Sequence, residues 1–269
     1  MIARFGVALL AFVAFARESG AQGAGANAQV AGAQRSDTIT LRVGDATVDG
    51  RFLKAHHAIV TQSTIRNGAT VNSVSFDATK TIAKRNGASV FQVEFKPRTG
   101  DGDQQFYFKA QLDLRTMALV HREERNGSGR LFIANGDGSR VTGSERTSLN
   151  AATNLFDFTL ETPSYEFAFI DATIGTVRLR DSLVIRIPTF EFPEARRKTE
   201  WHTFRVIGRD TVRVQKRIVS AWVAEEDSTS LYTARKIWLI NEPPYFPLVL
   251  TYLPDGSIRK VSQTLVGTP

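Results

Sequence analysis

The sequence contains four histidines and no cysteine, so few residues are available to bind a metal ion or act as a nucleophile. His56 and His57 are adjacent, and adjacent side chains on a strand point to opposite faces, which prevents both from binding one ion. His121 and His202 have no carboxylate partners at metal-ligand spacing. We therefore expect structural or surface histidines and predict no metal site.

The segment from Asn135 to Ser139 resembles the start of a calcium-binding loop. Arg140 stands where such a loop requires glycine, and Arg146 stands where it requires the closing glutamate, so we interpret the segment as a turn. The chain also lacks the nucleophile-elbow pattern G-x-S-x-G and the zinc-binding pattern H-E-x-x-H. These features favour a protein that is not an enzyme, with no catalytic residue and no cofactor.

Aromatic residues are concentrated in the last third of the chain, where all three tryptophans lie. One interpretation is a packed core, because aromatic side chains bury large apolar areas. The other interpretation is a concave, apolar sheet face that holds an acyl chain or another hydrophobic ligand. On this second interpretation, the predicted cavity-lining residues are Phe169, Phe190, Trp201, Trp222, Trp238 and Phe246.

The elements that position these residues are predicted to be strands, because alternating apolar and polar positions recur along the chain. Asn-Gly steps suit the positive φ angles of tight hairpins and occur at 67–68, 86–87, 126–127 and 135–136. A further turn is expected at Gly208–Asp210. The pattern predicts a mainly β protein with a single curled antiparallel sheet of about ten or more strands, a half-barrel.

One segment breaks the strand pattern and predicts a short helix near residues 163–174. Thr162 is expected to cap it, with Pro163 in the first turn, where the missing N–H costs nothing. Tyr165 and Phe169 fall on one helical stripe. They also alternate with Phe167 as strand residues do, so a strand is the competing interpretation.

The stretch from Ala234 to Gly267 reads as three strands joined by two turns. Pro243 and Pro244 cannot donate hydrogen bonds to a strand ladder, so they are expected to end one strand before the next begins. Both faces of the segment 246–253 are apolar, which places this strand in the interior of the sheet rather than at its edge.

The first 21 residues predict a secretory signal peptide. Arg4 precedes an apolar run from Phe5 to Ala16, which is shorter than the roughly 20 residues that a membrane-spanning helix needs. Residues 22–36 are small and polar and are expected to form a flexible leader. The remainder, 37–269, has no long linker and predicts one domain. We expect an exported protein, periplasmic or extracellular, with no transmembrane span in the mature chain.

The formal net charge of the chain is +7. A basic protein attracts anionic partners, and an anionic envelope component is one candidate. The alternative is a solvated surface, because strand alternation predicts charges at outward-facing positions. No nucleic-acid partner is expected.

The closing pattern W-x(8)-P-x-x-L-x-Y-x-x-D-G-x-I, from Trp238 to Ile258, resembles the end of a family of exported bacterial β-rich proteins of unknown function. The stretch from Thr162 to Phe192 resembles the middle of the same family. That family is similar in fold to the periplasmic lipoprotein-localisation factors of the LolA/LolB type. The resemblance implies an antiparallel half-barrel, closed by helices over a hydrophobic cavity, and no catalytic residue.

These observations lead to two hypotheses about function. The first is a non-enzymatic envelope protein that binds a hydrophobic ligand, such as a lipid or acyl chain, or an envelope component in the concave face of a half-barrel. The second is a structural or interaction protein with a fully packed interior that acts through its basic surface. An enzyme acting on envelope glycans or lipids is less favoured, because no sequence motif supports it.

Overall fold

A computed structural model of the protein describes residues 37–98, 100, 103, 105–192, 198–229 and 232–267. Within these residues, sixteen strands form one large, open, curled sheet, accompanied by a single short α-helix. The fold is therefore mainly β, as the alternating sequence patterns predict. The predicted signal peptide (1–21) and leader (22–36) lie outside the described residues.

The first nine strands are β1 (Thr38–Thr40), β2 (His56–Arg66), β3 (Ala69–Arg85), β4 (Ala88–Pro97), β5 (Tyr107–Asp113), β6 (Leu119–Arg125), β7 (Leu131–Gly136), β8 (Arg140–Arg146) and β9 (Asn154–Thr159). The remaining strands are β10 (Tyr165–Glu166), β11 (Val184–Phe190), β12 (Glu200–Val214), β13 (Arg217–Asp227), β14 (Ala234–Leu239), β15 (Leu248–Tyr252) and β16 (Ile258–Gly267). Helix α1 is Ile170–Gly175, and two 3-10 helices are Gly50–Phe52 and Phe167–Phe169.

Most neighbouring strands in the sheet are also neighbours in sequence. The order is β1-β11-β12-β13-β14-β15-β16-β2-β3-β4-β5-β6-β7-β8-β9, with β10 paired to β11 off this path. The predicted antiparallel sheet is confirmed, apart from two short parallel pairs that β11 makes with β1 and β10. Parallel neighbours need a crossover rather than a tight turn, and both pairs join segments distant in sequence.

The stretch from Ala234 to Gly267 forms three strands and two turns, as predicted. Strand β15 lies between β14 and β16, in the interior of the sheet. Its two faces contact two different apolar clusters, because Val249 joins the main core whereas Leu248 and Leu250 pack on a second cluster. This arrangement explains why both faces of the strand are apolar.

Two of the predicted hairpins follow their local chemistry closely. Asn67–Gly68 and Asn86–Gly87 connect β2 to β3 and β3 to β4, and all four residues have positive φ angles. This pair of conformations matches the twist of the flanking strands. In contrast, Asn135 and Gly136 are the last residues of β7, and the turn follows them at Asp137, whose Oδ1 accepts a 2.7 Å hydrogen bond from the Arg140 amide.

The turn predicted at Gly208 is instead a β-bulge within β12. The register with β13 shifts between Val206 and Gly208, and Gly208 has a φ of 129°. An extra residue in one strand moves every later side chain to the other face. Val206 and Val214 are an even number of residues apart, so strict alternation would place both on the same face. Because of the bulge, Val206 packs in the main core and Val214 packs in a second cluster on the opposite face.

The helix expected near residues 163–174 is present but begins later than Thr162 predicts. Tyr165 and Glu166 pair with β11 as a short strand, and the chain then turns through a 3-10 helix into α1. Glu166 and Phe169 occupy the two N-cap positions, and neither makes a side-chain cap. The strand and helix interpretations of this segment are thus each correct for part of it. The 3-10 helix Phe167–Phe169 and α1 pack on the concave face of the sheet, where the main core lies.

Candidate ligand cavity on the concave face

The concave face of the sheet encloses a cavity with two adjacent chambers. The larger has a volume of about 170 Å³ and is walled by β2, β3, β4, β14, β15 and β16. The smaller has a volume of about 60 Å³ and is walled by β3, β4, β5 and α1. Phe95, Ala168 and Phe246 line both chambers and form the neck between them. The interior is therefore not fully packed.

Strand alternation supplies the apolar walls of the larger chamber. Val249 on β15 lies directly across from Val261 on β16, and Val60 on β2 lies across from Phe76 on β3. All four side chains face the chamber. Residues two apart on a strand point to the same face, so an alternating sequence of this kind builds a continuous apolar surface.

The end of the larger chamber near α1 is polar and contains two arginines, Arg235 and Arg259. Arg235 donates a 2.6 Å hydrogen bond to Asp171 and lies 5.1 Å above the ring of Phe167. Burial raises the pKa of Asp171, although Arg235 opposes this effect. The pKa of Arg259 is lowered, first by burial and then by the positive charge of Arg235.

A second carboxylate, Glu226, lies beside Arg235 across the β13–β14 pair. It accepts a hydrogen bond from the Tyr232 hydroxyl and contacts Nδ1 of His202. Burial, followed by the charge of Glu226, raises the pKa of Tyr232, so the hydroxyl stays protonated as a donor. The polar end of the chamber therefore contains carboxylates as well as arginines, and its charges are largely balanced within the protein.

The smaller chamber contains a buried lysine. Lys80 is 2% exposed, its ammonium donates a 2.8 Å hydrogen bond to Oε1 of Gln263, and it lies 4.6 Å from the centre of the Phe246 ring. Burial lowers the pKa of Lys80 to about 7. Among the described residues, no carboxylate lies within ion-pair distance of this amine. A buried charge without a partner is costly, and such groups concentrate at functional sites.

His56 lies directly across from Lys80 in the β2–β3 pair. Its Nδ1 is 2.9 Å from the Lys54 carbonyl oxygen, which can only accept, so Nδ1 carries the proton. Its Nε2 is buried and has no hydrogen-bond partner. Burial, with the nearby charge of Lys80, lowers the pKa of His56 to about 4. His56 is therefore neutral near pH 7 and does not balance the charge of Lys80.

Two of the six residues predicted to line a cavity do so. Phe246 lines both chambers, and Phe169 lines the smaller one. Phe246 comes just before β15, and Phe169 ends the 3-10 helix that leads into α1. Both positions are therefore fixed by short connecting segments that cross the concave face.

The other four predicted residues lie outside both chambers. Phe190 is buried against Phe192, with ring centres 5.2 Å apart. Trp201 is 44% exposed, and Trp222 is half-buried beneath Arg209, whose guanidinium is 4.1 Å from the ring centre. Trp238 packs in the second cluster on the opposite face and donates a 3.1 Å hydrogen bond to Asp210. Aromatic content alone did not reveal which face each ring occupies.

The polar residues of the cavity were missed by sequence reasoning. The inward direction of Lys80 could have been predicted from the sequence. Phe76, Ala78 and Lys80 alternate on one face of β3, and the first two are apolar. Gln263 and Arg235 gave no such signal, since their role depends on contacts with distant segments. Lys80 and Gln263, for example, are 183 residues apart in sequence.

Two further features of the described part of the chain bear on chemistry and location. It contains no group of three or more His, Asp or Glu placed to hold a metal ion. It also contains no helix whose length and apolar character would let it cross a membrane.

Comparison with known proteins finds two partly similar structures and no assigned function. No family model matches the chain, and no curated protein shows significant similarity. A crystal structure of a β-barrel-like protein of the domain of unknown function DUF1849, from Brucella abortus, is similar with a TM-score of 0.48 and 10% identity, over 82% of this chain and 100% of that one. A DUF1329 family protein from Desulfovibrio piger is similar with a TM-score of 0.27 and 8% identity, over 80% of this chain and 86% of that one.

The two similar structures are thus of proteins with unassigned function, and at these identities neither says what this chain binds. The similarity to LolA/LolB-type factors stays a prediction from the sequence.

Proposed function

We propose that this protein binds a small hydrophobic ligand, an acyl chain, in the two-chambered cavity on its concave face, and that it acts as a binding protein rather than an enzyme. The observation that supports this proposal is the unfilled larger chamber with its apolar walls. Ligand sites are typically concave and mostly apolar, with a few polar groups that orient the ligand. The valine and phenylalanine walls fit that description, as do the few polar groups at the two ends of the cavity, Arg235 in the larger chamber and Lys80 in the smaller one.

The volume of the cavity limits the size of the ligand. An engineered apolar cavity of about 150 Å³ in another protein holds one benzene molecule, and the larger chamber has about 170 Å³. Sites for drug-sized ligands start at about 300 Å³. The chambers therefore accommodate a single short chain of about six carbons, and they exclude a diacyl lipid.

The predicted signal peptide at residues 1–21 supports an envelope location for this binding. An exported protein that holds an acyl chain would act in the periplasm or outside the cell. Both parts of this proposal, the ligand class and the location, are open to direct tests.

The test of ligand binding is calorimetric titration of the purified protein with 1-alkanols of six to twelve carbons. We expect the affinity to rise with chain length by about 0.8 kcal/mol for each buried methylene and then to level off once the cavity is full. An absence of measurable binding for every alkanol would reject the proposed function.

A variant that fills the neck between the chambers gives a second test. Ala168→Phe places a ring where both chambers meet and should weaken binding of octan-1-ol at least about tenfold, since the chain loses the space it occupies. Ala88→Phe, at an exposed position in the β3–β4 hairpin, is the matched control and should leave binding unchanged. Equal binding by both variants would place the ligand elsewhere.

A further inference from the structure

The most informative feature of the cavity is the imbalance of charge between its two ends. At the polar end of the larger chamber, Arg235 is paired with Asp171, and Glu226 lies beside it. At the other end, the ammonium of Lys80 has one amide oxygen and one aromatic ring as its partners. A cation in an apolar chamber attracts an anion more strongly than it does in water, because the local dielectric constant is low.

We propose that Lys80 is the anion-binding end of the cavity, and that the natural ligand is a monocarboxylic acid whose carboxylate contacts the Lys80 ammonium while its chain fills the larger chamber. This inference rests on the proposed function, since it assigns the polarity and orientation of the same ligand. It adds two statements that an apolar cavity alone does not imply. The ligand is a carboxylic acid, and its carboxylate contacts Lys80.

The dimensions of the smaller chamber fit a carboxylate. Its volume is about 60 Å³, and a water molecule occupies roughly 30 Å³ in the liquid, so the chamber holds a group about as large as two waters. Phe91, Val93, Phe108 and Phe169 supply the rest of its wall. Within the part of the chain that the structure describes, Lys80 is the one charged side chain that lines this chamber, so the carboxylate would have Lys80 as its charged neighbour there.

The groups around Lys80 leave its charge available to a ligand. His56, across the β2–β3 pair, is neutral near pH 7. Val93, on the other flanking strand, is apolar, and Gln263 on β16 contributes a neutral amide. The helical segment contributes Ala168, Phe169 and Ala172. None of these groups carries a negative charge, so a bound carboxylate would supply the counter-ion that the protein lacks at this point.

The opposite orientation, with the carboxylate at Arg235 and Arg259, is less favourable on the same reasoning. Asp171 already occupies a 2.6 Å hydrogen bond with Arg235, and an incoming carboxylate would have to approach Asp171 as well. Like charges in one buried site repel. The chain of the ligand, rather than its head, is therefore placed towards this end.

The test compares octanoate with octan-1-ol, which share a chain and differ in head-group charge, in the wild-type protein and in three variants. It is carried out at pH 6, below the pKa of about 7 of Lys80, so that the ammonium is the main form. The wild type should bind octanoate about tenfold or more tightly than octan-1-ol, because a charge-assisted hydrogen bond is stronger than a neutral one. Lys80→Met should remove this preference, so that octanoate and octan-1-ol bind with similar affinity. Lys80→Gln, which keeps a hydrogen-bond donor without charge, should also lose the preference.

Arg259→Gln is the matched control at the other end of the cavity, and it should keep the preference for octanoate. If Arg259→Gln loses the preference and Lys80→Met keeps it, the proposed orientation is overturned. If the wild type binds both molecules equally, the anion site is overturned while the proposed function stands. If the wild type binds neither molecule, the proposed function itself fails. Cooperative thermal unfolding of each variant establishes that it is folded.

Discussion

Two buried cations on the concave face, Arg122 and Lys80, have opposite surroundings. They lie in one cross-strand row, because Lys80 is opposite Val93, Val93 is opposite Ala110, and Ala110 is opposite Arg122. Strand alternation gives both side chains the same inward direction. The difference between them therefore comes from the groups that surround each charge and not from its position on the sheet.

Carboxylates and aromatic rings surround the guanidinium of Arg122, and the carboxylates balance its charge. Its guanidinium donates hydrogen bonds to Glu166 and, at 2.9 Å, to Glu124, and Glu124 also contacts Arg130 at 3.3 Å. Three phenylalanine rings surround the guanidinium, with centres 5.1 to 5.5 Å away. Lys80, in contrast, has no carboxylate partner among the described residues and faces an unfilled chamber.

The difference indicates that Arg122 has a structural role, whereas Lys80 is a candidate for binding a ligand. Arg122 belongs to a network whose members balance one another, and it fixes the short strand β10, which carries Glu166, against β6. Lys80 is stable in the folded protein only at an electrostatic cost that the rest of the fold must offset. A cost of this kind is understandable where a ligand supplies the missing partner.

The largest expected effect comes from Arg122→Met. This change leaves Glu166 buried without its cation and Glu124 with Arg130 alone, and breaking a buried ion pair on one side typically costs about 3–5 kcal/mol. We expect the free energy of unfolding, measured by urea denaturation, to fall by about that amount. Arg140→Met, which removes an exposed pair with Asp157, is the control and should leave the free energy of unfolding close to that of the wild type. A variant as stable as the wild type would show that the Arg122 network does not stabilise the fold.

The second expected effect is an increase in the free energy of unfolding. Lys80→Met replaces an unpaired buried ammonium with an apolar side chain of similar length, so we expect the free energy of unfolding at pH 7 to rise by about 1–3 kcal/mol. Lys84→Met, at an exposed position on the same strand, should change it by less than about 0.5 kcal/mol. Destabilisation by Lys80→Met would mean that Gln263 and Phe246 already satisfy the lysine, which would remove the distinction from Arg122.

The third expected effect, which is the smallest when it is expressed per pH unit, is a pH dependence of that difference. The pKa of Lys80 is about 7 in the folded protein and about 10.4 in the unfolded chain. Between these values the unfolded chain binds a proton that the folded protein does not, so the stability of the wild type rises with pH. Relative to Lys80→Met, the wild type should gain roughly 1 kcal/mol per pH unit from pH 7 to pH 10.

Urea denaturation of both proteins across this pH range provides the measurement. Taking the difference between them cancels the titration of residues that they share. A difference that does not change with pH would indicate that Lys80 keeps its charge in the folded protein.

Local chemistry explains which parts of this structure could be predicted from the sequence. The Asn67–Gly68 turn needs positive φ angles at adjacent residues, and Asn-Gly supplies them there and at 86–87, whereas the Asn-Gly step that ends β7 does not adopt them. The interior position of β15 follows from the apolar character of both its faces. Gly208 shows the limit, because a glycine in an alternating segment fits a turn and a bulge equally well, and only the partner strand decides.

The cavity was less predictable than the sheet, since it depends on how the sheet curls. Trp238 and Ile237 are adjacent and lie on opposite faces of β14, yet nothing local shows which of them joins the main core on the concave face. Lys80 was recognisable as an inward residue by alternation with Phe76 and Ala78. Its lack of a carboxylate partner could not be recognised from the sequence, because that property depends on every segment that packs around Lys80.

The position of β16 determines when the cavity can form. This strand lies between β15 and β2, with Ile258 opposite Ile65 and Gln263 opposite Val60, and it joins the two halves of the sheet. Its pairing with β2 closes a loop of nearly the whole domain, and contacts so distant in sequence form slowly. During synthesis, β2 to β15 emerge before their central neighbour. The sheet therefore stays open along its middle until β16 emerges, and the larger chamber, whose walls include β2, β15 and β16, cannot form before then.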